Sequence, residues 1–63
     1  MTPREERLAE ALAVERIHGV ASVAFIAGRV RDLAVAGDVA GVQRWREIAA
    51  AYDALNPEMR TSQ

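Results

Sequence analysis

The sequence predicts an all-α fold: a small three-helix bundle, or a helical hairpin with a docked first helix. Three observations carry that expectation. Apolar residues recur at spacings of three and four, and nothing alternates with period two. Thr-Pro, Gly-Asp and Asn-Pro pairs stand where helices should begin and end. Alanine fills 13 of the 63 positions, a composition that favours helix over strand.

The first helix is expected at about residues 3–18. Thr2 suits the N-cap, Pro3 the first helical position, and Glu5 completes a T-x-x-E capping box. Glu5 and Glu6 suit the positive end of the helix dipole. Gly19 ends the helix, with His18 in its last turn.

The second helix is expected at 22–36, with Ser22 as N-cap and Val23 as the first helical residue. Val23, Ile26, Ala27, Val30, Leu33 and Ala34 form its apolar stripe. Gly28 sits inside it at a cost of up to ~1 kcal/mol relative to Ala.

The third helix is expected at 38–55, because Gly37 followed by Asp38 reads as a stop and then a start. Val42, Trp45, Ile48, Ala49, Tyr52 and Leu55 make the clearest stripe in the chain. Pro57 disfavours helix at Asn56. Residues 1–56 are thus read as one helical domain, and 57–63 as a flexible polar tail.

Composition narrows the chemistry. The chain has no Cys, which removes disulfides, thiolate nucleophiles and thiolate metal sites. A cysteine-free domain of this size, with acidic residues near its start and no leader pattern, is expected in the cytoplasm. The longest stretch free of charge and glycine, Val20 to Ala27, is too short to cross a bilayer, so no membrane is expected. Net charge is −1. That balance argues against nucleic acid as the partner. A domain this small draws ~3–5 kcal/mol from a single core, so association with another chain is the natural complement.

The strings Glu15-Arg16-Ile17-His18-Gly19 and Gly37-Asp38-Val39-Ala40-Gly41-Val42-Gln43-Arg44-Trp45 carry the patterns E-R-x-H-G and G-D-x-x-G-V-x-R-W. With Phe25-Ile26-Ala27 and Ile48-Ala49, they resemble a family of small bacterial proteins of unknown function. The resemblance covers roughly residues 8–55. Val20, Val23 and Gly28 depart from it, where the pattern has an acid, a proline and an acid. It implies a self-standing helical domain and transfers no activity.

Three constellations remain. Glu15 and His18 share a helix face at i and i+3, the spacing of one metal-binding pair. One pair without a second His or Cys points instead to hydrogen bonding, so a polar site is kept there and no metal is expected. Arg29, Arg31, Arg44 and Arg46 stand at matching heights on either side of the Gly37–Asp38 turn. They offer a face for phosphate or an acidic partner. Alternatively they are a solvated face, neutralised by Arg29–Asp32 and Arg44–Glu47 pairs. Phe25 lies off the second helix's stripe, either touching the first helix or presenting an aromatic to a partner.

No catalytic residue, cofactor or small-molecule substrate is legible. The expected function is a non-enzymatic protein–protein interaction module, docking a protein partner or self-associating as a homo-oligomer. Phe25 and the four arginines are its candidate contacts. The alternative is a nucleic-acid-binding regulator using Arg29, Arg31, Arg44 and Arg46.

Overall fold

Thr2 opens the first helix as its sequence predicts. In a computed structural model, which describes residues 1–56, the Thr2 hydroxyl accepts from the Glu5 backbone N–H at 3.2 Å. The Glu5 carboxylate accepts from the Thr2 N–H at 2.8 Å. Helix α1 then runs over Pro3–His18. Gly19 stops it at φ 52° and ψ −124°, a backbone region that a side chain would make strained. One 3₁₀ turn, Gly19–Ala21, leads directly into helix α2, Ser22–Val35. Helix α3 spans Val39–Leu55.

The all-α class is found, with no strand among the described residues. The three-helix expectation is met in part. Three α-helical segments are present, but the first two form one helical run of 33 residues, Pro3–Val35. Straight, that run would measure about 50 Å at the helical rise. The longest dimension of the molecule is 32 Å. The run therefore folds back at the 3₁₀ turn, and α3 packs against both of its arms. The arms touch each other far less than either touches α3. The expected 57–63 tail lies outside the described residues.

The turn between α2 and α3 has the predicted chemistry. Gly37, at φ 77°, and Asp38 return hydrogen bonds to Ala34 and Leu33 at 3.1 and 2.9 Å, the two bonds of a Schellman motif. The Asp38 carboxylate then accepts from the Gly41 N–H at 2.8 Å, capping α3. Asp38 is thus the N-cap that the Gly37–Asp38 pair predicts, with α3 starting at Val39 rather than 38, and Ala36 caps α2.

Ser22 departs from its expected role. It is the first residue of α2 and fully buried, and the Ala21 position before it offers no side-chain cap. Its hydroxyl donates to the Gly19 carbonyl at 2.7 Å and lies 3.4 Å from the Val14 carbonyl. It fastens the start of α2 to the end of α1. With Ser22 inward, the buried face of α2 turns. Ser22 and Ile26 enter the core, Phe25 packs on its edge, and Val23, Ala27 and Ala34 are exposed.

The core is thin. Ala11, Val14, Ile26, Ile48 and Tyr52 are buried, with Phe25, Trp45, Ala49 and Ala51 packed on them. Trp45, expected at the stripe's centre, is half-buried, and Leu55 is exposed.

Two glycines inside helices make opposite predictions. A Cβ at Gly28 meets nothing within 4 Å, so Gly28→Ala should raise stability by up to ~1 kcal/mol. A Cβ at Gly41 would lie 2.7 Å from the Asp38 carboxylate and displace the cap, so Gly41→Ala should give no such gain. Ser22→Ala removes the buried hydroxyl bond to the Gly19 carbonyl, which keeps its bond from the residue 22 backbone N–H, and should cost about 1 kcal/mol. Thermal melts followed by circular dichroism check all three, at roughly 4–8 °C per kcal/mol for a domain of this size.

Candidate functional site

Four half-buried side chains form a continuous stack where α1, α2 and α3 meet. His18, in the last turn of α1, lies flat against Phe25, with ring centroids 3.8 Å apart and planes at 17°. Phe25 meets Trp45 edge-on at 5.8 Å and 74°. Arg29 follows Phe25 by one turn on the same face of α2. Its guanidinium sits 5.5 Å from the Trp45 ring centroid, within cation–π range. The edge-on Phe25–Trp45 pair brings quadrupole attraction to the edge of the apolar core, and the face-on His18–Phe25 contact adds dispersion. The stack clasps the elbow, because His18 and Phe25 stand on opposite sides of the 3₁₀ turn.

A second group is ionic and joins α1 to α3. Arg7 donates through Nε to Glu47 at 2.9 Å and through Nη1 to Glu10 at 2.8 Å. The other Glu10 oxygen accepts from Arg44. The other Glu47 oxygen accepts from Gln43 at 3.1 Å. Every carboxylate oxygen of the pair therefore has a donor. Partial burial pushes the Glu10 carboxyl up, but Arg44 and Arg7 together outweigh it and hold it below the ordinary value. Gln43 first, and then Arg7, lower Glu47. The hydrogen bond to Glu47 raises Arg7.

The third feature is apolar and unpartnered among the described residues. Ile17, Val20 and Val23 are 73, 102 and 52% exposed. They stand around the elbow, at the end of α1, in the 3₁₀ turn and at the start of α2. Their spacing of three was present in the sequence, and Gly19 interrupts it with the bend. A shallow open groove lies elsewhere, between the start of α1 and the end of α3. Pro3, Leu8, Ala50, Ala51 and Ala54 line it, with Arg4 beside them. Arg7 and Glu47, hydrogen-bonded to each other, complete its lining.

The family model for DUF6961, described as a family of unknown function, matches residues 4–60. The chain belongs to that family. No curated protein and no solved structure matches it. The resemblance read from E-R-x-H-G and G-D-x-x-G-V-x-R-W is therefore borne out. In this DUF6961 domain, the two patterns supply the elbow and the second turn. Gly19 bends the chain, His18 and Trp45 enter the stack, and Gly37, Asp38 and Gly41 build the turn and its cap.

The candidate residues have separate positions. Arg44 pairs with Glu10, Arg29 covers Trp45, and Arg31 lies 3.7 Å from Asp32. Arg46 is exposed with no ion pair among the described residues. The Arg29–Asp32 and Arg44–Glu47 pairs anticipated along the helices do not form. Asp32 lies beside Arg31 instead, and Arg44 and Glu47 pair across to α1. Glu15 and His18 make no hydrogen bond to each other among the described residues, and no group of three or more metal-ligating side chains occurs there. Phe25 meets both α1 and α3 through the stack, half-buried rather than free.

The helical run Pro3–Val35 also contains an apolar window, of mean hydropathy 1.4 and 22% buried, that is long enough to cross a membrane by length and composition. The uncharged stretch of the sequence understated it, because the window admits charges. The bend at Gly19 divides that run into two arms.

Glu5, Glu10 and Glu47 all titrate below the ordinary value of 4.5 in the folded chain. Their contribution is complete above that value and is lost as pH falls through the lowered folded values. Stability measured by urea titration should therefore hold from pH 7 to about 5 and decline below about 4.5. Glu10→Gln should flatten that decline.

Proposed function

We propose that this DUF6961 member is a small non-enzymatic protein–protein interaction module, a minimal three-helix bundle that self-associates. The observation that carries the reading is the exposed group Ile17, Val20 and Val23 beside a core of five buried apolar residues. Magnitudes favour covering that group. Burying one branched aliphatic side chain contributes about 1.5–3 kcal/mol. Three of them rival the ~3–5 kcal/mol expected from a core in a domain this small.

The four arginines support this reading less than the aliphatic group. Arg29 and Arg44 are engaged within the fold, by Trp45 and Glu10. The same engagements disfavour a phosphate-binding face, since phosphate would have to compete for the guanidinium of Arg44 with the Glu10 carboxylate.

Val20 is fully exposed, so Val20→Glu removes no internal contact. Sedimentation equilibrium should show the wild-type chain associating between micromolar and millimolar concentration. Val20→Glu should remain monomeric with unchanged helicity. A wild-type chain that is monomeric throughout that range overturns the self-associating reading.

A further inference from the structure

The link between α1 and α2 holds a single residue at positive φ. His18 has φ −107° and ψ −15°, Ala21 has φ −89° and ψ 3°, and Ser22 is fully helical at −59° and −44°. Gly19 alone, at φ 52° and ψ −124°, takes the chain out of the right-handed region. Rotation of that residue into the helical region would join the arms into one rod.

Opening costs the lone chain its core, because Ala11 and Val14 of α1 are buried with Ile48 and Tyr52 of α3. Yet α1 has little to lose against α2, and its main attachments are to α3. Those attachments join residues 34 and 40 positions apart, Glu10 with Arg44 and Arg7 with Glu47. Every one of them can be remade with the α3 of another copy. The outer side of the elbow does not resist straightening, since Ile17 and Val20 are already in solvent. The contacts given up at the elbow are the Ser22 hydrogen bonds and the His18–Phe25 stack. In a straight helix, residues seven apart are about 10 Å from each other.

We infer that Gly19 is a hinge through which two copies of this chain exchange α1, each straightened Pro3–Val35 rod docking its first arm on the other's α3. This rests on the self-associating reading above and specifies its form. Exchange of an identical element through a hinge adds few contacts that the single chain lacks. Here the core and ion pairs are kept, and the aliphatic group comes onto one rod.

Gly19→Ala biases the hinge. Alanine is strained at the observed φ and gains in a continuous helix, together shifting the balance toward the straight form by roughly 30-fold or more. The chain has no Cys, so Glu6→Cys with Asp32→Cys places spin labels on exposed positions of the two arms. Dilution with unlabelled chain isolates the distance within one chain. The bent form sets these positions on two arms that meet at an angle and both pack on α3, closer together than a straight rod holds them. The straight rod sets them about 39 Å apart. The expected result is a Gly19→Ala dimer by light scattering with the longer distance. A folded Gly19→Ala monomer with the short distance overturns the exchange. A dimer with the short distance overturns it too, while leaving surface self-association intact. If Gly19→Ala does not fold, the labelled chain with Gly19 retained, refolded at millimolar concentration, decides. A dimer fraction at the longer distance supports exchange, and the short distance alone rejects it.

Discussion

The backbone at Gly19 governs the rest of this molecule. Thirty-three residues of helix would be too long for a fold only 32 Å across, and one residue at positive φ turns them into two arms. Once bent, the arms hold α3 between them. The buried hydroxyl of Ser22 and the flat stack of His18 on Phe25 then brace the inside of the bend. Hydrogen bonding and ring stacking, more than aliphatic bulk, hold the corner.

The remaining cohesion comes from two unequal sources. Burial of a few apolar residues supplies most of the favourable term, in keeping with a domain of this length. The charges Arg7, Glu10, Arg44 and Glu47 fix how α1 lies on α3. Individual ion pairs at a surface contribute little. Their value here is positional, since each carboxylate oxygen has one donor and a shifted helix would leave several unmatched.

Much of this fold could be read from the sequence, and the unread parts share a cause. Helix ends were legible because caps act over three to five residues: Thr2 with Glu5, Gly37 with Ala34, Asp38 with Leu33 and Gly41. The face of α2 was misread because Ser22 carries two local roles, cap or buried donor, and only the packing of α1 chooses between them. The anticipated arginine pairs failed for the same reason. Arg44 has Glu47 three residues away, but the bend brings Glu10 to it from another helix. Ile17, Val20 and Val23 were visible as a spacing of three, but their shared exposure around the bend depends on the angle that Gly19 takes. The stack of Phe25, Trp45 and Arg29 needed the register of α2 against α3, which no local pattern specifies.

The turn at Gly37 and Asp38 bears on how the chain assembles. Its bonds span at most five residues, and its cap draws on nothing outside the turn itself. Such closure incurs little chain entropy, so α2 and α3 can pair early. The first helix must instead find partners more than thirty residues downstream. Local closure thus favours the α2–α3 hairpin over the long-range docking of α1. During synthesis that helix emerges first and waits, its apolar side uncovered, until the hairpin exists to receive it.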